Sequence, residues 1–196
     1  EVSGTLTWRF TNTTALPLAE AWLFRYPDHF ATDPDLDDIL RERVYPSGFS
    51  PGGQELRDVL VTYDVGGVGG GPPTPGHPAS PDRPATPEEF ELDGVPLIRV
   101  PLPIALLPGQ SATLTGAFTT QVPRRYGTFG RYRGTLTMNG GLAPLPLGLG
   151  DEGWRHLEPP ARLPQEAELS VPEGWVLSVA GVSPDPTASR FVPDAR

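Results

Sequence analysis

Proline and glycine interrupt this chain so often that long helices are not expected. The 196 residues include 26 prolines and 23 glycines, together one residue in four. Proline removes a backbone hydrogen-bond donor and clashes with the preceding helical turn, and ordered glycine loses the most conformational freedom. Many short strands separated by turn residues are typical of β-sandwiches. We therefore predict an all-β, antiparallel sandwich or saddle-like domain with one short helix and one long Gly/Pro-rich loop.

Regular alternation of apolar and polar residues identifies two strands directly. One is VSGTLTWRFT at Val2–Thr11, and the other is SATLTGAFTTQ at Ser111–Gln121. In the second strand Ala112, Leu114 and Phe118 share one face, while serine and threonine side chains occupy the other. Side chains point alternately to the two faces of a strand, so each segment has one face for a core and one for water. The second strand carries no evident nucleophile, base or metal ligand.

Other short segments are also predicted to be strands. LAEAWLFRY at 18–26 is apolar on both faces and is therefore predicted to lie inside a sheet. Asp93–Gly94 suits a tight two-residue hairpin turn, whose positive backbone angles favour aspartate and glycine. The remaining predicted strands lie at 55–64, 131–138, 167–171 and 176–180.

The single helix is predicted in TDPDLDDILRERVYP. Asp33 can cap it, and Pro34 fits the first helical position. Leu36, Ile39 and Leu40 share one face of this helix.

The segment VGGVGGGPPTPGHPASPDRPATP at 65–87 is more than half glycine and proline. Such a composition cannot bury enough apolar area to offset the entropy of ordering it. We interpret it as a flexible insertion loop within a single domain spanning residues 1–196. An interdomain linker is the alternative, but each flank alone is short for a sandwich.

Charge and composition exclude some functions. The net charge is −9, which disfavours binding to nucleic acid, and no apolar run approaches the length of a membrane span. Every basic residue is arginine, which indicates a bacterium with GC-rich DNA, and the absence of cysteine excludes a disulfide framework. The sequence begins at Glu1, so we expect a processed chain or a fragment, exported or membrane-attached through regions outside it.

No arrangement of residues predicts a catalytic or metal site. The nearest candidates are His156 with Glu158 and the acidic run Asp33, Asp35, Asp37 and Asp38, which lacks the glycine and closing glutamate of a calcium loop. Ordinary surface residues and a helix-capping face are the favoured interpretations. The turn at 47–50, SGFS, lacks a P-loop lysine and a triad pattern, and the Asn12 glycosylation sequon carries little weight in a bacterial protein.

The segment VPRRYGTFGRYRG at 122–134 is the strongest candidate for binding. Its four arginines lie among Tyr126, Phe129 and Tyr132, a combination able to hold an anionic group or to stack on a partner. The favoured alternative is a hairpin whose arginines balance an acidic surface. The four tryptophans, at positions 8, 22, 154 and 175, are most simply packing residues.

Several segments resemble a known family. GTLTWRFTNTTALPLAEAWLFRYP, residues 4–27, resembles the opening strands of the N-terminal β-domain of aminopeptidase N-like zinc metallopeptidases (gluzincins), where a strand ending in Asn plus Thr precedes an apolar strand. VPLPIALLPGQSATLTGAFTTQVP, residues 100–123, is similar to a later Pro-Gly turn and strand of that domain. The stretches 136–154 and 167–181 resemble segments nearer the end of the same domain. The resemblance covers nearly the whole chain except 65–87 and points to the divergent bacterial branch.

The resemblance implies a non-catalytic domain that packs on a separate C-terminal catalytic domain and walls its substrate cleft. Zinc and the HExxH motif belong to that catalytic domain, which lies outside this chain, and a peptide substrate is bound only by the full enzyme. The resemblance makes strand 111–121 scaffold and assigns no catalytic, cofactor-binding or metal residue here. At Met138–Pro146 the sequence MNGGLAPLP departs from the family's substrate-binding stretch, so no binding residue is assigned, Asn139 included.

The alternative function is an autonomous exported β-sandwich that binds protein or carbohydrate. In that interpretation the arginine-rich hairpin and the tryptophans supply the contacts.

Overall fold

Antiparallel strands account for most of the described chain. The computed structural model describes residues 1–64, 82–138 and 140–156, together with the backbone of 167–168 and 190–191. Two compact units are present, Glu1–Ala161 and Arg162–Arg196, and the predicted single domain over 1–196 stays a prediction. The strands of the first unit are β1 (Val2–Thr11), β2 (Leu18–Phe24), β3 (Gly53–Tyr63), β4 (Arg83–Ala85), β5 (Glu88–Leu92), β6 (Val95–Leu106), β7 (Ser111–Gln121), β8 (Phe129–Tyr132), β9 (Thr135–Met138), β10 (Leu145–Pro146), β11 (Leu149–Gly150) and β12 (Gly153–Trp154).

Eight of these strands form two four-stranded antiparallel sheets, and the other four form the two-stranded pairs β8–β9 and β11–β12. The first has the order β1-β7-β3-β4 and the second the order β10-β2-β6-β5. The predicted strand β7 pairs with β1 along the full length of β1 and with β3 on its other side. The sandwich-like all-β fold predicted from the sequence is confirmed.

The main core lies between the two sheets and consists of the inward faces of β1, β2, β3, β6 and β7. The alternating residues Leu114 and Phe118 of β7 belong to it, as predicted. A second, smaller cluster joins Trp22 of β2, Leu97 of β6 and Leu147. Because β2 contributes to both clusters and has β10 and β6 as neighbours, its predicted position inside a sheet is confirmed.

The corner after β1 is fixed by the buried side chain of Asn12. Its Nδ2 donates to the carbonyl oxygens of Leu16 (2.8 Å) and Leu106 (2.7 Å), and its Oδ1 accepts from the backbone N–H (2.9 Å) and the hydroxyl (2.8 Å) of Thr14. The Asn12 N–H donates to the carbonyl of Gln110. These bonds join the corner between β1 and β2 to the corner between β6 and β7.

The predicted helix begins later than the sequence indicated. Helix α1 covers Asp38–Val44, and its N-cap is Asp37, whose side chain accepts a hydrogen bond from the Leu40 N–H. Asp33 instead accepts two hydrogen bonds from the Arg41 guanidinium, so the prediction of Asp33 as cap was wrong. The helix has no buried residue, and Ile39 is 74% exposed, so its apolar residues do not contribute to the core.

Two further boundaries differ from the predictions. The predicted loop 65–87 contains β4 at its end, where Leu60 of β3 pairs with Pro84, and 65–81 lies outside the described residues. The single strand predicted at 131–138 is a hairpin of β8 and β9, because Arg133 and Gly134 both adopt positive φ angles and reverse the chain. The Asp93–Gly94 turn between β5 and β6 is confirmed.

The second unit is described only at two short strands. These are β13 (Ala167–Glu168) and β14 (Arg190–Phe191), which pair antiparallel. The rest of the predicted strands 167–171 and 176–180 lies outside the described residues. No helix within the described part of the chain is both long and apolar enough to cross a membrane.

Candidate arginine cleft

The arginine-rich segment forms one wall of an open cleft. The β8–β9 hairpin turns at Arg133 (φ 48°) and Gly134 (φ 79°), and both of its arginines, Arg131 and Arg133, line the cleft. The cleft has a volume of about 500 Å³ and is lined by Pro46, Ser47, Arg124, Arg131, Tyr132, Arg133 and Gly134. Two segments more than 75 residues apart in sequence therefore meet here, the turn after α1 and the hairpin. We call this feature the arginine cleft.

The hairpin is held in place by buried aromatic packing and backbone hydrogen bonds. Phe129 is fully buried and stacks on Phe30, with ring centroids 5.6 Å apart and an interplanar angle of 12°. The Tyr126 N–H donates to the carbonyl of Val44, at the end of α1, over 2.9 Å. These contacts hold the hairpin that carries the arginines in a fixed position, so the cleft is part of the folded unit Glu1–Ala161.

Arg125 is the one arginine of the segment that points away from the cleft. Its guanidinium lies 4.4 Å from the Phe30 ring centroid and 5.7 Å from that of Tyr45, and its Nη1 donates to the Phe129 carbonyl over 3.0 Å. A side chain at Gly130 would place a Cβ 2.4 Å from the Arg125 carbonyl oxygen, so only glycine fits beside it. Arg125 is therefore a structural residue that braces the hairpin.

The other three arginines are exposed and lack direct counterions among the described residues. Arg124, Arg131 and Arg133 form no ion pair there, and Arg133 lies over the Tyr132 ring at 5.1 Å. Five other arginines of the same chain do form ion pairs: Arg9, Arg25, Arg41, Arg57 and Arg99. The hypothesis that these arginines balance an acidic surface is therefore not supported by any direct ion pair within the described ranges. Three guanidinium groups remain available to an external anion.

An exposed aromatic surface continues the cleft. Tyr126 is 65% exposed and meets Tyr132 edge to face, with ring centroids 5.6 Å apart. Arginine and tyrosine side chains together are enriched where proteins bind other proteins.

Arg25 and Asp28 form a buried ion pair that the sequence analysis did not predict. Arg25 contacts Asp28 at 2.7 Å and Glu89 at 2.8 Å, and the Asp28 carboxylate also accepts from the Gln54 N–H at 2.7 Å. Burial raises the pKa of Asp28 above its ordinary value of 3.8, although Arg25 and the Gln54 N–H act in the opposite direction. The i, i+3 spacing of Arg25 and Asp28 in RYPDHF was the available signal. The pair anchors the 3₁₀ helix Tyr26–Phe30 to β3 and β5.

The remaining sequence candidates are not brought together into a site. His156 packs edge to face on Trp22, with centroids 4.6 Å apart, and its proposed partner Glu158 lies outside the described residues. Within the acidic run, Asp33 pairs with Arg41 and Asp37 caps α1, which confirms the helix-capping interpretation with a different cap. In the described part of the chain no group of three or more His, Cys, Asp or Glu side chains has an arrangement that could hold a metal ion.

The described tryptophans pack inside the fold. Trp8 stacks on Phe10 with centroids 4.5 Å apart, and Trp154 meets both rings edge to face. Trp22 is 5% exposed, and its Nε1 donates to Glu20. The packing role predicted for these three is confirmed, while Trp175 and Asn139 lie outside the described residues.

No protein-family model, no curated protein and no solved structure matches this chain.

Proposed function

We propose that this chain is the non-catalytic N-terminal β-domain of a bacterial zinc metallopeptidase of the aminopeptidase type. It packs on a C-terminal catalytic domain outside this chain and forms one wall of the substrate cleft. The catalytic domain carries the zinc ion and the hydrolytic groups. The domain contributes shape to the cleft and restricts which peptides enter it.

One observation carries this proposal. Two of the resembling segments, 4–27 and 100–123, are paired through their strands: β1 of the first pairs with β7 of the second, and β2 pairs with β6, with one register shift between Leu18 and Glu20. Their corners are joined as well, because Asn12 donates to the carbonyl of Leu106. The Asn-Thr and Pro-Gly motifs thus have a shared physical role at adjacent corners, which is the reason to treat the resemblance as more than coincidence.

The test is the intact mass and zinc content of the native polypeptide that carries this segment. The proposal expects a chain well above 21.0 kDa that holds about one zinc per polypeptide, as a catalytic zinc site does. It also expects that the isolated 196-residue chain does not hydrolyse aminoacyl-anilide substrates and that the full polypeptide does. A zinc-free native chain near 21.0 kDa contradicts the proposal.

The arginine cleft favours a second candidate, an autonomous binding module for a protein partner. The carbohydrate version is weakened, because Trp8 and Trp22 lie in the core and cannot form an exposed sugar platform. Retention of a native partner by the isolated chain, lost when cleft arginines are replaced, would favour this second function.

A further inference from the structure

We propose that the arginine cleft binds an acidic peptide segment, with carboxylates on Arg124, Arg131 and Arg133 and an apolar or aromatic residue on the Tyr126–Tyr132 pair. This inference does not depend on the peptidase proposal, because it concerns only residues of the folded unit. The segment belongs to a separate protein partner.

The first argument is electrostatic. Three exposed guanidinium groups line one cleft of about 500 Å³, and no carboxylate among the described residues pairs with them. Like charges that line one cleft repel one another, and this repulsion extends over a Debye length of about 8 Å at physiological ionic strength. A bound anion removes that repulsion. Guanidinium groups bind carboxylates through two parallel hydrogen bonds, which adds directionality.

The second argument concerns the size of the ligand. Six of the seven lining residues are exposed and Tyr132 is half-buried, so the cleft is a surface trough. Sites for small molecules usually enclose about 70–90% of their ligand. A trough with exposed arginines and an adjoining exposed tyrosine suits a chain that lies along it, with side chains reaching both the charged and the aromatic parts.

The third argument excludes a long polyanion. The chain carries a net charge of −9, so an extended nucleic acid that runs past the cleft meets a repulsive surface. A short peptide with a few carboxylates stays within the cleft and avoids most of this repulsion. The same net charge makes the test sharp, because non-specific attraction of an acidic peptide to this protein is not expected.

The experiment measures binding of an acetylated, amidated peptide EEYEE to the 196-residue chain by calorimetry, with QQYQQ as the uncharged control. Two charge-matched double variants are compared, Arg124→Gln/Arg131→Gln in the cleft and Arg57→Gln/Arg83→Gln on the exposed side of β3 and β4. Thermal unfolding of both variants checks that the fold is intact. Binding is repeated at low and at physiological salt.

The proposal expects EEYEE to bind more tightly than QQYQQ and to weaken as salt rises. The cleft variant loses about tenfold in affinity, because it removes two charge-assisted contacts, and the control variant loses less than about twofold. Tyr126→Ser weakens EEYEE by about threefold and has no effect on EEGEE, because the aromatic contact is then already absent.

Four results would overturn it. If the two double variants weaken EEYEE binding equally, the peptide is attracted by the overall charge of the protein and not by the arginine cleft. Inorganic phosphate that binds as tightly as EEYEE means a small-anion site, and a single-stranded RNA oligonucleotide that binds more tightly than the peptide means a nucleic-acid site. No binding of EEYEE at low salt means that the cleft does not recognise carboxylates.

Discussion

Replacing Asn12 by alanine should destabilise this protein more than any exposed polar substitution. The side chain is fully buried and makes four hydrogen bonds, two donated and two accepted. Each contributes about 0.5–1.5 kcal/mol net, and a buried group left without a partner costs about 1–3 kcal/mol. Thr14 loses the acceptor of its N–H in the Asn12→Ala variant, whereas the Leu16 carbonyl keeps the Thr14 hydroxyl as a donor. The expected loss is about 4 kcal/mol.

The assay is urea unfolding followed by the fluorescence of the buried tryptophans. A loss of about 4 kcal/mol lowers the midpoint by about 2 M when the urea slope is about 2 kcal/mol/M. Thr13→Ala, on the exposed neighbour, is the matched control and should change stability by less than about 0.5 kcal/mol. Asn12→Asp keeps the acceptor but turns a carboxylate toward two carbonyl oxygens, so it should be at least as damaging near neutral pH. An Asn12→Ala loss below about 1 kcal/mol would refute the corner as a source of stability.

Three further predictions concern other parts of the fold. Gly130→Ala should lower the free energy of unfolding in urea by about 1–3 kcal/mol, because its Cβ would lie 2.4 Å from the Arg125 carbonyl oxygen. The control Gly53→Ala, whose Cβ has no atom within 4 Å, should be close to neutral, and equal effects of the two variants would contradict the clash. Burial raises the pKa of Asp28 in the folded protein. The stability of the wild type relative to Asp28→Asn should therefore be greatest below pH 3.8 and should fall as the pH rises through the folded pKa. Urea titrations across this pH range would show the opposite trend if folding favoured the charged carboxylate. Ile39→Ser should change the unfolding free energy by less than about 0.5 kcal/mol, since the side chain is exposed, and a larger loss would mean that it is packed.

The sequence predicted most accurately the strands that have one buried face and one exposed face. In β1 and β7 the alternation of residue types matches the burial of Trp8, Phe10 and Leu114. In β3 the apolar residues Leu56 and Val59 are three positions apart, which breaks the period of two, and the structure has a register shift between Arg57 and Leu60 with Asp58 at a positive φ of 52°. That break in the period was a readable signal for a β-bulge.

The start of the helix was predicted wrongly because the local signals do not contain their tertiary partner. Asp33 and Pro34 fit an N-cap pattern, but the Arg41 guanidinium binds Asp33 and the chain becomes helical only after Asp37. The apolar residues Ile39 and Leu40 are 74% and 42% exposed, so they do not belong to the core. The helix starts four residues later than predicted, so Leu36 precedes it and does not share a helical face with Ile39 and Leu40.

The arginine cleft shows which part of a site a sequence contains and which part only the fold supplies. The residue types that favour anion binding are contiguous in 122–134, but the pattern alone does not distinguish Arg125, which braces the hairpin, from Arg124, which lines the cleft. The opposite wall at Pro46 and Ser47 comes from a turn with no binding signature. The local pattern does not show that Arg125 packs against the core whereas Arg124 is exposed to solvent. That difference depends on the Phe30–Phe129 stack, a contact between residues 99 positions apart. The same stack makes the arrangement testable, because replacing Arg125 should lower stability, whereas replacing Arg124 should lower anion binding alone.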